Sequence, residues 1–202
     1  MIGKWNKSVI LSYIGLSISI LGIILVCNGI DKKYAFVCLM ASGVCDMFDG
    51  TVARMCKRSE DEKLFGIELD SLVDVFSFLA FPTFIAISLG LANYYCYPVY
   101  VLYLVFGVAR LAHFNITTED TNKPRKYYEG LPVTTVSIVF PLIYLFCNKL
   151  ENQMFNTIYL YSMLVVAFMF ILKIKIPKPK LTISFLLLVG AILMSILYMV
   201  LL

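Results

Sequence analysis

The sequence predicts an all-α integral membrane protein, a polytopic bundle of six core transmembrane helices with a seventh helix at residues 181–202. Two observations predict this class. Of the 202 residues, 60% are hydrophobic and 15% are charged, whereas soluble domains are about 45–50% apolar and about 25% charged. An apolar excess of this size does not fit inside one soluble core, and several apolar runs approach or exceed the roughly 20 residues that cross a bilayer.

Seven apolar runs are candidates for these helices. In chain order they cover residues 8–30, 34–54, 67–91, 97–116, 131–148, 156–173 and 181–202. Lys4 and Lys7 precede the first run, which lacks a small-residue cleavage signal, so we expect an anchor rather than a removable signal peptide. We therefore expect one transmembrane domain over residues 1–202, with its core at 8–176 and the extra helix at 181–202.

The cationic residues of the loops predict the orientation, because cytoplasmic loops are enriched in Lys and Arg. Of the 17 Lys and Arg residues, thirteen lie on the N-terminal side of the predicted membrane path and three on the other side, with Arg110 near the inner end of the fourth run. We expect a multi-pass protein of the cell membrane, with its N-terminus and the loops at 55–65 and 117–130 in the cytoplasm. The net charge of +4 then reflects topology and attraction to anionic lipids, and it gives no argument for a nucleic acid partner.

Four aspartates interrupt the apolar helices on either side of the loop at 55–65. Asp46 and Asp49 are spaced i, i+3, and Asp70 and Asp74 are spaced i, i+4, so each pair shares one helix face. Two antiparallel helices joined by a loop of this length would bring the two faces together at cytoplasmic depth. Each charged Asp in a membrane costs about 2.5–3.5 kcal/mol, and mutual repulsion adds to that cost. Such a cluster requires cations.

The ligand chemistry of the four acids predicts hard divalent cations. The cluster offers carboxylate oxygens without Cys or His, which favours Mg²⁺ or Mn²⁺, with Ca²⁺ as a third candidate, over zinc or copper. Four carboxylates indicate two ions. A pair of divalent ions is the arrangement that stabilises the attacking and leaving oxygens in phosphoryl displacement.

Small residues and an arginine accompany the acids and predict a phosphate-bearing ligand. Gly50 and Ala53 share the face of the first acid pair, and Gly66 lies one turn before the second pair. Their small size lets a bulky ligand approach the backbone, and Arg54 offers a planar fork to phosphate oxygens. Taken singly, these residues also fit helix packing, but together with four acids they predict a site. The mixed-charge run 57–63 fits a solvated loop.

These residues form one long pattern. It reads Asp46-x2-Asp49-Gly50-x2-Ala53-Arg54-x11-Gly66-x3-Asp70-x3-Asp74. The pattern resembles the signature of the CDP-alcohol phosphotransferases. The resemblance implies a six-helix core, a homodimer, two divalent ions bound by the four aspartates, and transfer of a phosphate-bearing group from a CDP-linked donor to an alcohol with release of CMP. The spacing between Arg54 and Gly66 is three residues longer than is common in the family, so we expect the loop contacts to differ.

Three further segments resemble the phosphatidylserine synthases within that family. They are FGIELDSLVDVFSF at 65–78, ARLAHFNI at 109–116 and EGLP at 129–132. The resemblance implies CDP-diacylglycerol and L-serine as substrates, and phosphatidylserine and CMP as products. Such synthases typically have Arg where this chain has His113, so no role is carried over to that position. His113 fits a hydrogen-bonded residue near the membrane interface better than a metal ligand.

Roles for the individual residues follow from this chemistry. The predicted metal ligands are Asp46, Asp49, Asp70 and Asp74. Asp74 is also the predicted acceptor of the serine hydroxyl proton, because an alcohol is a poor nucleophile until its proton has an acceptor. The residues predicted to contact the CDP donor are Asp49, Gly50, Ala53, Arg54, Gly66 and Ser12, although a hydroxyl in a membrane helix often bonds its own backbone. The residues predicted to bind serine are Arg110, Asn115 and Lys126.

Two other functions remain open from the sequence. The first keeps the chemistry but uses glycerol 3-phosphate or an inositol phosphate as the acceptor, or an archaeol-type donor; a phosphate acceptor would need a denser basic pocket. The second is a divalent-cation transporter with the acids as its transit site. A transporter predicts inverted repeats and polar residues along a full membrane path, whereas the acids of this chain lie at one end and no internal repeat is visible.

Overall fold

The computed structural model describes residues 3–119, 127–147, 149–177, 189–191 and 193–198. Seven α-helices lie within residues 3–177. They are α1 (Ile10–Cys27), α2 (Lys32–Met55), α3 (Glu60–Asp74), α4 (Phe81–Ser88), α5 (Tyr97–Glu119), α6 (Val136–Cys147) and α7 (Asn152–Ile171). Five helical stretches are long and apolar enough to cross a membrane, and shorter apolar helices accompany them. The predicted all-α membrane fold is confirmed.

The fifth and seventh predicted runs differ from the structure in length. The described part of the fifth is helical over Val133–Cys147, and the chain before it forms a short antiparallel pair, β1 (Tyr127–Glu129) with β2 (Lys175–Pro177). Of the seventh predicted run, the described residues belong to a short apolar helix, Val189–Tyr198. Residues 181–188, 192 and 199–202 lie outside the described part of the chain.

Helix α3 begins earlier than the apolar pattern predicts. Ser59 caps it: the Ser59 hydroxyl accepts from the Glu62 amide, and the Glu62 carboxylate accepts from the Ser59 amide at 2.8 Å. This reciprocal capping box satisfies amides that have no partner within the helix. The predicted loop at 55–65 is therefore a connection of four residues, 56–59, and residues 60–63 are helical rather than a solvated loop.

Helices α3 and α4 form one continuous helix, Glu60–Ser88, through a π-helical segment at Val75–Ala80. Pro82 has no amide hydrogen, so the carbonyl of Phe78, four residues earlier, cannot accept the backbone hydrogen bond that an α-helix would provide. The hydroxyl of Tyr103 in α5 donates to that carbonyl at 2.7 Å instead, and both side chains are buried. The π segment follows Asp74 directly and separates the polar half of this helix from its apolar half.

Aromatic rings fill the bundle interior away from the four aspartates. Phe36 of α2 stacks on Tyr144 of α6 with ring centroids 4.5 Å apart, and Phe140 lies 5.1 Å from Tyr159 of α7. Phe36 precedes Asp46 by ten residues, which corresponds to about 15 Å along an α-helix. The hydrophobic core and the acids therefore occupy different levels of the same bundle.

Glycines let the helices approach closely in this interior. A Cβ atom at Gly43 of α2 would overlap the side chain of Ser137 in α6, and a Cβ at Gly22 of α1 would overlap the ring of Phe81. Neither position accepts a larger residue unless its neighbour moves. The small residues at these two positions therefore serve helix packing, as is common in membrane proteins.

Candidate active site

The structure brings the four predicted aspartates together. Carboxylate oxygens of Asp46, Asp49 and Asp70 lie within 4.8 Å of one another. The carboxyl groups of Asp46 and Asp74 lie within hydrogen-bonding reach of each other, and so do those of Asp49 and Asp70. Asp49 and Asp74 are buried, whereas Asp46 and Asp70 are half-buried. The acid-bearing faces of α2 and α3 therefore meet at one point.

This donor set fits divalent cations. All four side chains offer carboxylate oxygens, the ligands that Mg²⁺, Mn²⁺ and Ca²⁺ prefer. Oδ1 of Asp74 is buried and has no hydrogen-bond partner within the described residues. A buried acceptor without a donor is costly, and a cation bound beside it would remove that cost. The cluster can therefore hold metal ions, and Asp74 adds a buried oxygen that no described residue hydrogen-bonds.

Two hydroxyl groups from other parts of the fold bind the first acid pair. Ser12 of α1 donates to Oδ2 of Asp49 at 3.0 Å in a buried hydrogen bond. Thr134, in the 3-10 turn before α6, donates to Oδ2 of Asp46 at 2.7 Å. The sequence predicted that Ser12 contacts the CDP-linked donor, and the structure places its hydroxyl group against an aspartate. Thr134 was missed, because it lies 88 positions after Asp46 and matches no element of the acid pattern.

The turn that carries Thr134 is held by a close backbone contact. Gly130 has φ +77°, and a Cβ there would lie 2.6 Å from the backbone oxygen of Phe170. Its amide donates to the carbonyl of Ile174 at 2.9 Å. Glycine fits because it tolerates both the left-handed backbone and this close approach. The chain beyond Gly130 is thereby directed back to Asp46.

The two glycines beside the acids each have room for a Cβ atom. The atom nearest to a Cβ at Gly50 would be a guanidinium nitrogen of Arg54 at 3.6 Å, and the atom nearest to a Cβ at Gly66 would be a guanidinium nitrogen of Arg58 at 3.8 Å. These are ordinary contact distances, so helix packing does not require glycine at either position. Ala53 is half-buried in the last turn of α2. Arg58, which the sequence placed in a solvated loop, lies beside Gly66 at the edge of the site.

Arg110 approaches the acids from α5. Its side chain is buried, with only 8% of its surface exposed. The guanidinium carbon lies 5.1 Å from the centroid of the Phe114 ring, a cation–π arrangement that holds the planar group in place. Its charge acts on the carboxyl group of Asp46. A buried cation therefore stands beside the acid cluster, where the sequence predicted the serine site.

Two side-chain contacts connect the rest of this α5 segment to the site. Asn115 donates to the hydroxyl of Ser71 in α3 at 2.7 Å, a partner that the sequence analysis missed. Nε2 of His113 lies 3.4 Å from the carboxylate of Glu129 at the end of β1, so the resembling segments at 109–116 and 129–132 are neighbours. Lys126, the remaining predicted serine contact, lies outside the described residues.

Comparison with known proteins identifies the family. The family model of the CDP-alcohol phosphatidyltransferases matches residues 5–196. A CDP-diacylglycerol–serine O-phosphatidyltransferase of Saccharomyces cerevisiae is 37% identical over 122 residues, which cover 57% of this chain and 42% of the yeast protein. One from Helicobacter pylori is 30% identical over 172 residues, 79% of this chain and 68% of that protein. An archaetidylserine synthase of Methanothermobacter thermautotrophicus is 31% identical over 137 residues, 67% of this chain and 56% of that protein.

The extent of these matches differs from one to the next. The chain spans less than half the length of the yeast relative and about two thirds of the Helicobacter relative. No solved structure matches the chain. The family match covers nearly the whole chain, includes all four clustered aspartates, and favours a transferase over a cation transporter. The chain belongs to the CDP-alcohol phosphatidyltransferase family.

Proposed function

We propose that the protein transfers the phosphatidyl group of CDP-diacylglycerol to the hydroxyl group of L-serine, giving phosphatidylserine and CMP. The observation that carries this proposal is the assembly of four acids beside the buried cation of Arg110. The acids suit a metal-assisted phosphoryl displacement, and the guanidinium group suits a carboxylate-bearing acceptor. The yeast relative and the Helicobacter relative described above both carry the name of this serine transferase.

The donor would bind at the acid end of the bundle. The residues that would hold two divalent cations, Mg²⁺ or Mn²⁺ with Ca²⁺ as a third candidate, are Asp46, Asp49, Asp70 and Asp74. Such ions, when bound, supply positive charge to the phosphate oxygens of the donor and of the departing CMP. Gly50, Ala53 and Gly66 would leave room for the donor. Arg54 and Arg58 would offer planar guanidinium groups to its phosphates.

Serine would attack from the side of α5. Arg110 would bind its carboxylate, with Asn115 and Lys126 as helpers. Asp74 would take the hydroxyl proton, which agrees with its buried Oδ1 that lacks a hydrogen-bond partner within the described residues and with the need of an alcohol for a proton acceptor. The serine oxygen would bond to the phosphatidyl phosphorus while the bond from that phosphorus to the CMP oxygen breaks.

Release of CMP by the purified protein tests this function. We expect release from CDP-diacylglycerol with L-serine, and little with glycerol 3-phosphate or an inositol phosphate offered side by side. Chelation with EDTA should abolish the activity, and Mg²⁺ or Mn²⁺ should restore it. Equal turnover with a phosphate-bearing acceptor would overturn the serine assignment, and full activity after exhaustive chelation would overturn the metal assignment.

An archaeol-type donor is the second candidate, because one relative is named archaetidylserine synthase. The acceptor chemistry would be unchanged and only the tails of the donor would differ. Competition between CDP-diacylglycerol and CDP-archaeol in mixed micelles distinguishes the two donors. A strong preference for the ether lipid would replace the ester donor in our proposal.

We also propose a cytoplasmic active site in a homodimer at the cell membrane. The chain offers native probes for the orientation: Cys56 lies beside the acid end, just after α2, and Cys147 ends α6. In intact cells, a membrane-impermeant maleimide should label a variant that retains only Cys147 and spare one that retains only Cys56. The reverse pattern would place the site outside. Light scattering of the detergent-solubilised protein measures the oligomeric state.

A further inference from the structure

The first acid pair is held by hydroxyl groups at the carboxylate oxygens themselves. Asp49 and Asp46 lie on one face of α2, yet their Oδ2 atoms bond to different elements: Ser12 in α1 and Thr134 in the turn before α6. Each bond engages the Oδ2 atom of its carboxyl group. The two bonded aspartates belong, with Asp70, to the group whose carboxylate oxygens lie within 4.8 Å of one another.

A hydrogen bond of this kind fixes the rotation of a carboxyl group. Without it, an aspartate in an acid cluster can turn about its side-chain bonds, and repulsion drives the neighbouring carboxylates apart. Partners that bond to metal ligands orient those ligands, and their removal typically lowers metal affinity about 10–100-fold. The distances of 3.0 Å and 2.7 Å are ordinary hydrogen-bond lengths.

We propose that Ser12 and Thr134 are positioning residues that direct Asp49 and Asp46 toward divalent cations. This inference rests on the proposed metal-assisted function and extends it to two residues outside the acid pattern. The role proposed for both residues is toward the metal ligands. Each acts through the aspartate to which it donates a hydrogen bond. Removal of the hydroxyl group would leave that aspartate present but would no longer fix its orientation.

The surroundings of Thr134 argue that its hydroxyl does more than complete the turn. The backbone of the turn is already bonded, with the Thr135 amide donating to the Pro132 carbonyl and the Ser137 hydroxyl donating to the Thr134 carbonyl. Valine preserves the shape of threonine without the hydroxyl. Thr134→Val should therefore keep the turn while releasing Asp46.

Binding of Mn²⁺ to the detergent-purified protein, measured by electron paramagnetic resonance, tests the proposal without any substrate. We expect Ser12→Ala and Thr134→Val each to weaken Mn²⁺ binding by about 10–100-fold, and Thr134→Ser to restore it. The matched controls are Ser17→Ala, whose hydroxyl bonds the Tyr13 carbonyl in the same helix, and Thr135→Val in the same turn. Both controls should bind Mn²⁺ as tightly as the unsubstituted protein.

Thermal unfolding with and without Mn²⁺ separates positioning from folding. The two test variants should unfold near the normal temperature without Mn²⁺ and should gain less stability when Mn²⁺ is added. Unchanged Mn²⁺ affinity in both folded variants would overturn the positioning role while leaving the proposed function intact. No Mn²⁺ uptake by the unsubstituted protein would overturn the metal step of the proposed function, and the positioning role with it.

Discussion

Glycines occur both at the acid end and in the aromatic interior of the bundle, but their surroundings differ. In the interior, Gly43 and Gly22 have neighbouring side chains in the space that a Cβ would occupy. At the acid end, a Cβ at Gly50 or Gly66 would meet no atom nearer than an arginine guanidinium at ordinary contact distance. Glycine is needed for packing in the first region but not in the second.

This difference shows how to recognise a ligand site in a membrane bundle without a bound ligand. A glycine that no neighbour requires weakens its helix, by about 1 kcal/mol relative to alanine. Two such glycines beside four acids agree with the proposed position of the CDP donor. The same reasoning applies to Asp74, because in the described structure no donor reaches its buried Oδ1.

Neutralising an acid should have the largest effect on activity. Asp70→Asn should lower turnover on the order of 10³-fold or more, because the cluster loses a proposed metal ligand. Stability should stay the same or rise, since the change removes repulsion among neighbouring carboxylates. CMP release and thermal unfolding measure the two quantities. Near-normal turnover would show that Asp70 is not required as a metal ligand.

A pair of glycine variants tests the comparison directly. Gly43→Ala should lower the free energy of unfolding by about 1–3 kcal/mol, the usual range for overpacking. Gly50→Ala should leave stability unchanged or raise it by up to about 1 kcal/mol, yet increase the KM for CDP-diacylglycerol. Loss of stability in both variants, with no change in donor KM, would show that the two ends do not differ as described.

Arg110→Lys tests the acceptor side of the acid end. Lysine keeps the charge but loses the planar two-nitrogen fork, and a charge-assisted hydrogen bond contributes about 1.5–3 kcal/mol. The KM for serine should rise roughly tenfold, while the KM for CDP-diacylglycerol barely changes. Lys63→Gln is a control, because Lys63 pairs with Glu60 on the exposed face of α3. An effect confined to the donor would move Arg110 to the phosphate site.

The smallest effect on turnover is expected in the apolar half. Tyr103→Phe removes the donor to the Phe78 carbonyl and should lower the free energy of unfolding by about 1 kcal/mol. Turnover at a temperature where the variant is folded should change by less than about twofold, since this hydrogen bond lies beyond the acid cluster. A large loss of turnover in the folded variant would show that the two halves are coupled.

The sequence predicted what local spacing and composition determine. Apolar runs predicted the helices, and the i, i+3 and i, i+4 spacings predicted that each acid pair shares a helix face. The antiparallel arrangement of the two helices across a short loop predicted that both pairs meet at one site, and the family resemblance implied the same. The roles of individual site residues remain predictions until they are tested.

Two kinds of structural feature were not predicted from the sequence: a helix start set by polar residues and hydrogen bonds between residues far apart in the chain. The early start of α3 depends on polar residues, Ser59 and Glu62, which an apolar pattern leaves out, although their spacing matches a capping box and offers a signal. The Thr134–Asp46 and Asn115–Ser71 bonds join residues far apart in the chain. One sequence contains no local signal for such contacts.

The π-helical segment at Val75–Ala80 acts as a phase shift in the longest helix of the bundle. A π-helix has one more residue per hydrogen-bonded ring than an α-helix, so the sequence periodicity of the helix faces shifts by one residue across the segment. Its six residues cover nearly the rotation that five α-helical residues would cover, about 500° at roughly 100° per residue. The extra residue is thereby absorbed, and Asp70 and Asp74 face the way they would in an α-helix one residue shorter. Without this absorption, one additional residue would turn the second acid pair by about 100° relative to the half packed among the aromatic rings.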